Sequence, residues 1–541
     1  MKTLTPSQFH TNRLTSFLSQ CKTMKELNQI HAQATISGHS SDNYIISKLL
    51  LFSTTSGPQT TDYSFKLFSS VSNPSSFFYS TIIRAFSASK NPAHAFSLYN
   101  QMLLAGISPD HFSFPFLTKA CARLASLPLG TSLHCDIVKY GFSSDLFVQN
   151  SLIHMYTSCR DIVSAREVFD AMCVRNLVSW NTMVDGYAKC GDLVAARNVF
   201  DGMPVRDVVS WSALIDGYVK SGEFSEALAV FASMCDDGMK VNAVTMVSVL
   251  CACAHLGALD QGRRMHCYIK DNGVCLTLQL STSLVDMYAK CGSITEALAV
   301  FREVPVVETD VLIWNAIIGG LAMHGRSKDS LALFEEMQAT GRGQPDEITY
   351  LCLLSACTHG GLVEDAWRFF NLLKAQRMAV QVEHYACMVD VLGRSGLVEE
   401  AYEIVRTMPM QPSASVLGAL LTACQTHGHL HLGELVGRML IELDPYHDGR
   451  YIGLSSVYAS AKQWDDAKTM REVMEKRGVR KTPGCSAVEV DGNLHRFIAH
   501  DKMHQQTTDI YSMLSFLLNQ MKLESDIING EHFKQEIWEN V

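Results

Sequence analysis

Asp185-Gly-Tyr-Ala-Lys-Cys-Gly191 returns as Asp216-Gly-Tyr-Val-Lys-Ser-Gly222, as Asp286-Met-Tyr-Ala-Lys-Cys-Gly292 and, more loosely, as Asp390-Val-Leu-Gly-Arg-Ser-Gly396. Tyr156, Tyr187 and Tyr218 stand 31 residues apart, and Tyr288 follows Tyr218 by 70, two units of 35. A chain that repeats at this period folds as stacked copies of one unit. The about three or four independent globules otherwise expected at this length are not required.

Each unit carries the helical apolar period twice. Trp180-Asn-Thr-Met-Val-Asp-Gly-Tyr187 is one stripe, and Leu193-Val-Ala-Ala-Arg-Asn-Val-Phe200 follows after Lys189-Cys190-Gly191. Gly191, Gly222 and Gly292 fall where the first helix must end, because glycine enters the left-handed conformation without a Cβ clash. Ala196, Ala227, Ala297, Ala366 and Ala401 recur in the second helix, where a small side chain lets helices approach closely. A lone hairpin cannot bury both faces, so neighbouring units must share a core. Trp180, Trp211 and Trp314 are therefore expected to pack between helices rather than to form a ligand cage.

Composition narrows the function. Lys and Arg number 45 against 54 Asp and Glu, a net charge of −9, so no basic arm is available for a polyanion. With 47% hydrophobic and 18% charged residues the chain is too apolar for disorder. Its 17 cysteines include no C-x-x-C and sit mostly in apolar stretches, which points to thiols in a reducing compartment. The uncharged run Val241 to Leu259 is interrupted by Asn242, Thr245, Ser248, His255 and Gly257, so a buried helix pair is expected and no membrane association. The first 25 residues hold Lys2, Arg13, Lys22 and Lys25 and no acid, the composition of an organelle presequence, assigned to residues 1–10.

The W-x-x-L-G-x-x-Y hallmark of tetratricopeptide repeats is missing. Val208-Val-Ser-Trp-Ser-Ala-Leu-Ile-Asp-Gly-Tyr-Val-Lys-Ser-Gly222, Ala227-Leu-Ala-Val-Phe231, and the unit ends Ile107-Ser-Pro-Asp110 and Gln344-Pro-Asp346 stand instead. This pattern resembles the pentatricopeptide repeat family of plant organelles. The resemblance implies an all-α, right-handed superhelical solenoid of helix-turn-helix repeats. Degenerate repeats are expected over 11–75. Ten repeats follow over 76–412, with lengths of 31 to 36 like the subclass that mixes standard, long and short units.

Two polar rows run through this frame. Six residues before the tyrosine position stand Ser80, Asn150, Asn181, Ser212, Thr282 and Asn315; the same units end in Asp110, Asn176, Asp207, Asn242, Asp310 and Asp346. Asp only accepts a hydrogen bond, which suits a base edge offering N–H, whereas Asn both donates and accepts. Helix capping accounts for the polarity of these residues but not for two coordinated rows. By resemblance the rows read single-stranded RNA at one base per repeat. Under the family's pairing rules, Ser80 with Asp110 implies G, Asn150 with Asn176 implies C, and Asn181 with Asp207 implies U. Ser212 with Asn242 implies A, Thr282 with Asp310 implies G, and Asn315 with Asp346 implies U. Pro115, Val247 and Leu351 leave blanks, giving 5′-G?CUA?GU. Apolar residues such as Val178 and Val209 are expected, again by resemblance, to wedge against bases.

The C-terminal segment resembles the E domain (413–483) and E+ extension (484–524), with a short tail at 525–541. In relatives a cytidine deaminase domain follows. Its H-x-E and P-C-x-x-C zinc motifs are absent here, so neither a catalytic role nor a metal or other cofactor is expected. His427, His429 and His431 are expected to be surface histidines. The resemblance implies a site-recognition factor for organellar C-to-U editing. Its implied partners are a DYW-type, deaminase-bearing pentatricopeptide repeat protein in trans and the multiple organellar RNA editing factor proteins. The mitochondrion is favoured over the chloroplast. Splicing, processing or stability factors, and a protein-binding solenoid without RNA, are the alternatives.

Overall fold

The computed structural model describes residues 14–39, 42–57, 60–341, 343–490, 493–499, 502–504 and 506–528; the expected presequence at 1–10 lies outside them. The chain divides into two compact units, Met1–Ala252 and Cys253–Val541. In the first, helices Met24–Ile36, Asn43–Thr55 and Thr61–Ser69 precede a run of helical hairpins. The run begins with Ser76–Ala88 and His94–Leu104 and continues through Leu177–Lys189 and Leu193–Asp201 to Val208–Lys220 and Phe224–Asp236. The second holds hairpins of the same kind, among them Leu278–Lys290 with Ile294–Glu303 and Val311–Met323 with Ser327–Thr340.

The hairpins form for the reasons their sequence gives. Gly191, Gly222 and Gly292 have φ of 83°, 81° and 90°, ending each first helix. The recurrent alanines of the second helices are fully buried. The ring of each preceding phenylalanine meets a tryptophan edge to face: Phe169 with Trp180 at 5.0 Å, Phe200 with Trp211 at 4.7 Å and Phe301 with Trp314 at 4.8 Å. Such pairs add about 0.5–1.5 kcal/mol beyond their buried area. Leu152, Val184 and Leu214 are buried between helices, each worth roughly 1.5–3 kcal/mol.

Within each unit, first helices of consecutive hairpins pack on one another, and second helices pack on first helices. The first helices thus make a continuous layer. Their close approach needs Gly217, where a Cβ would fall 2.5 Å from the Ala188 Cβ. The run Val241 to Leu259 is broken after helix Ala243–Leu256 by Gly257, with φ 66°. Among the described residues no helix is long and apolar enough to cross a membrane.

Two further hairpins, Ala414–His427 with Leu430–Leu443 and Asp448–Ser460 with Trp464–Lys476, continue the second unit. His427, His429 and His431 straddle the turn between Ala414–His427 and Leu430–Leu443; His427 and His431 are exposed, and His429 Nδ1 lies 3.2 Å from Glu399. Strands Cys485–Val490 and Asn493–Ile498 then pair antiparallel, with Cys485 opposite Ile498, and helix Thr507–Ile528 follows. A two-stranded hairpin alone is marginal in water. This one is tethered through Glu489, whose carboxylate accepts the backbone N–H groups of Asp260 (2.8 Å) and Gln261 (3.1 Å) at the start of helix Leu259–Asp271. The Glu489 side chain is 7% exposed.

Candidate nucleic-acid interface

The second polar row caps helices. Asn176, Asp207, Asp310 and Asp346 are the N-cap residues of the helices that follow them, and Asp110 and Asn242 accept from Ser113 and Thr245 N–H in the same manner. At Asp110 the capping bonds fall on Oδ1, while Oδ2 accepts from Ser76 Oγ at 2.6 Å. The first row reaches the seam between two first helices from the preceding helix. Asn150 Nδ2 donates to Asn176 Oδ1 (3.3 Å), Asn181 Nδ2 to Asp207 Oδ1 (3.3 Å) and Asn315 Nδ2 to Asp346 Oδ1 (3.0 Å). Ser80 Oγ is 2.9 Å from Asp110 Oδ1. Ser212 connects to Asn242 through Thr245, whose Oγ1 lies 2.5 Å from Ser212 Oγ and donates to Asn242 Oδ1 at 2.9 Å. Thr282 instead donates to the Leu278 carbonyl at 2.9 Å, while Asp310 accepts from Leu312 and Ile313 N–H.

The two rows differ in exposure. Ser80, Asn150 and Asn315 are buried at the seam, Asn181, Ser212 and Thr282 are half-buried, and Asn176 and Asn242 are exposed. The Oδ1 atoms of Asn150 and Asn181 are buried and have no hydrogen-bond partner. A buried amide oxygen without a partner costs about 1–3 kcal/mol, so each is a free acceptor. Asn315 lines a cavity of about 290 Å³ together with Asp286, Lys290, Leu351 and Cys352.

Burial raises the carboxyl pKa of Asp110 and Asp207. Hydrogen bonds from Ser76, Ser113 and Ser80 on the first, and from Ser210 and Asn181 on the second, outweigh it and hold both below the ordinary carboxylate value. Both are therefore ionised acceptors at neutral pH.

Beside the rows runs an apolar stripe. Val178 and Val209 are 55% and 56% exposed, and the same second helical position carries Phe77, Phe147, Val244, Leu312 and Ile348, all exposed, while exposed Phe112 is the N-cap residue of helix Ser113–Leu124. An exposed large apolar residue at nearly every unit is a patterned feature, which makes the stripe a candidate contact surface. The sequence reading named only the two valines; Phe77 and Phe147 stand at the same place, the second residue of their helices.

One row was missed. Lys189, Lys220, Lys290 and Arg394 close their first helices, each paired four residues back with an acid at 2.6, 2.5, 2.8 and 3.0 Å. The signal was the Asp-x-x-x-Lys spacing inside the repeated motif. These pairs explain how a cationic row coexists with a negative net charge.

Among the described residues no cluster of three or more His, Cys, Asp or Glu could hold a metal ion. Burial raises the thiols of Cys121, Cys253 and Cys357 to about 12, so they are inert core side chains.

The chain is 53% identical over 508 residues to a pentatricopeptide repeat-containing protein of Arabidopsis thaliana, covering 94% of this chain and 95% of that protein. The chain belongs to the pentatricopeptide repeat family. A mitochondrial pentatricopeptide repeat protein of the same plant is 36% identical, with 96% of this chain and 92% of the relative covered. One described as chloroplastic/mitochondrial is 35% identical, with 95% and 78% covered. The PPR repeat family matches at 74–123, 206–255 and 309–359, and the PPR repeat at 150–177, 178–208, 281–305, 348–378 and 383–411. The E motif matches at 427–489. The maize pentatricopeptide repeat protein PPR10, solved with an 18-nt psaJ RNA element, aligns over 88% of this chain and 83% of its own, at 15% identity and a TM-score of 0.43.

Proposed function

We propose that this pentatricopeptide repeat protein binds single-stranded RNA by sequence and marks sites for C-to-U editing in an organelle, with the deaminase supplied in trans. The observation that carries the RNA reading is the alignment, repeat after repeat, of a polar pair at the seam of two first helices with an exposed apolar side chain on the same seam. Polar edges and apolar faces at one period suit a ligand that has both at one period, which unpaired bases do. A protein partner would not require Asn, Asp or Ser at the same two places in successive units.

Under the family's pairing rules the pairs correspond to 5′-G?CUA?GU. Asp207 and Asp346 present acceptors beside an Asn, fitting the imide edge of uracil. Asn242 presents a donor, fitting adenine. The Lys189 and Lys220 row supplies local phosphate contacts, and because each cation is already paired, binding depends less on salt than for a basic arm.

The editing role is supported by the E motif at 427–489 and by the hairpin and helix that follow it. Phe516, Leu517 and Met521 on that helix are exposed, an apolar face suited to a DYW-type deaminase-bearing partner. The multiple organellar RNA editing factor proteins are the second partner class. Mitochondrial and chloroplastic relatives support an organellar site of action, and the mitochondrion is the first choice.

Sequencing organellar transcripts from plants lacking the protein tests the role. Loss of one or a few C-to-U events downstream of the element is expected. Unspliced or degraded transcripts with editing intact would move the protein to the splicing or stability class, and no RNA defect would favour a protein scaffold.

A further inference from the structure

Beneath the read-out seams lies a hydroxyl that no base can touch. Ser179, Ser210, Thr245 and Thr349 are each the third residue of the helix that follows a second-row residue, Ser113 stands three after Asp110 at the start of its helix, and all five are fully buried. At Asp207 the arrangement is reciprocal. Asp207 N–H donates to Ser210 Oγ (3.2 Å), and Ser210 returns two bonds to a single oxygen, Asp207 Oδ1, from its backbone N–H (2.9 Å) and its hydroxyl (2.8 Å). Thr245 does the same to Asn242 Oδ1, at 2.8 and 2.9 Å.

Two donors fixed on one atom decide what the side chain can show. A carboxylate so held turns its other oxygen out, as an acceptor. An amide so held must place its oxygen inward, because an N–H cannot accept from an N–H, and so turns its Nδ2 out as a donor. The hydroxyl also reaches the first row. Thr349 Oγ1 lies 2.7 Å from Asn315 Oδ1 and 2.9 Å from Asp346 Oδ1, and Ser113 Oγ is 2.8 Å from Ser80 Oγ. Asp310 is the internal contrast, since fully buried Ile313 replaces the hydroxyl beneath it.

We propose that this buried hydroxyl is a positioning residue for base choice: it orients the two read-out side chains and so fixes which of their atoms faces the base. The inference rests on the RNA reading above.

The test uses the full chain and RNA oligonucleotides carrying 5′-G?CUA?GU, varied one base at a time opposite Asn181/Asp207 and opposite Ser212/Asn242. Ser210→Ala and Thr245→Val remove the hydroxyl, the second at unchanged volume, so one variant remains informative if the other does not fold. The expected result is a fall of about threefold to tenfold in the preference for U or A at the affected base, the worth of one hydrogen bond. Preferences at the other bases should stay, and Ser210→Thr should restore the ratio. Two results overturn the inference and leave the RNA reading standing: base ratios equal to the wild type's in both variants, or a uniform weakening for all four bases together with a lower melting temperature. A wild-type chain with no base preference removes the RNA reading, and the inference with it.

Discussion

Asn315 donates through Nδ2 to Asp346 Oδ1 at 3.0 Å, although 31 positions separate them and each belongs to a different helix. The bond spans a joint between repeats, and the proposed RNA-reading face is built from such joints.

Exchanging the rim residue of a joint should change the base without disturbing the fold. In Asn242→Asp the new carboxylate still accepts both Thr245 donors, so the cap survives. Preference at that nucleotide should move from A toward G by about tenfold, the size of one exchanged hydrogen bond to an ionised group. Competition binding with single-base RNA variants measures it, and an unchanged profile would remove the pairing assignment.

Phe147 is 58% exposed and touches the stripe rather than the core. Phe147→Ala should leave the melting temperature within the small range typical of surface substitutions. RNA affinity should drop by about 1–3 kcal/mol if the ring stacks on a base. Affinity equal to the wild type's would separate the apolar stripe from RNA contact.

Glu489 ties the C-terminal hairpin to helix Leu259–Asp271 across 229 and 228 residues of sequence. Glu489→Ala should cost about 0.5–2 kcal/mol, as loss of a helix cap does. Amide exchange should rise together at 260–261 and along Cys485–Val490. Exchange rising in the hairpin alone would mean that the tether carries no stability.

His134 and His266 each hydrogen-bond a tyrosine, Tyr156 and Tyr288, at 2.9 Å. Burial holds both histidine pKa values below the ordinary 6.5 and pushes the two tyrosines up to about 12. For His266 the nearby Lys270 lowers it further, and Glu303 and Glu296 act in the opposite sense. Once the pH drops below 6.5 the unfolded chain binds more protons than the folded one, so stability present at pH 7.5 drains as the pH falls toward the folded-state values. Melting temperatures recorded from pH 7.5 to 5.5 should decline, and less steeply in His266→Leu. Equal slopes would place the pH dependence elsewhere.

Much of this architecture is readable from the chain because its determinants are local and repeat. Gly191 and Ala196 announce a turn and a close approach at fixed offsets, and the Asp-x-x-x-Lys pairs lie within one helix. The polar rows were legible for the same reason. The hydroxyls of Ser210 and Thr349 were not singled out, because a serine or threonine in a first turn reads as half of a capping box and nothing in the sequence says what the other half faces. Glu489 could not be placed at Asp260 at all, since no periodicity links a strand to a helix more than two hundred residues earlier.

On the proposed RNA reading, each polar pair lies near the two ends of one unit, as Asn181 and Asp207 do, yet its closing member caps the first helix of the next unit. A unit cut just after its closing residue carries both halves of its letter away, but strips the cap from the helix left behind. Anyone rewriting the recognition sequence of this protein by shuffling modules would have to splice between the closing residue and the helix it caps, and supply that helix with a capping residue from the incoming module.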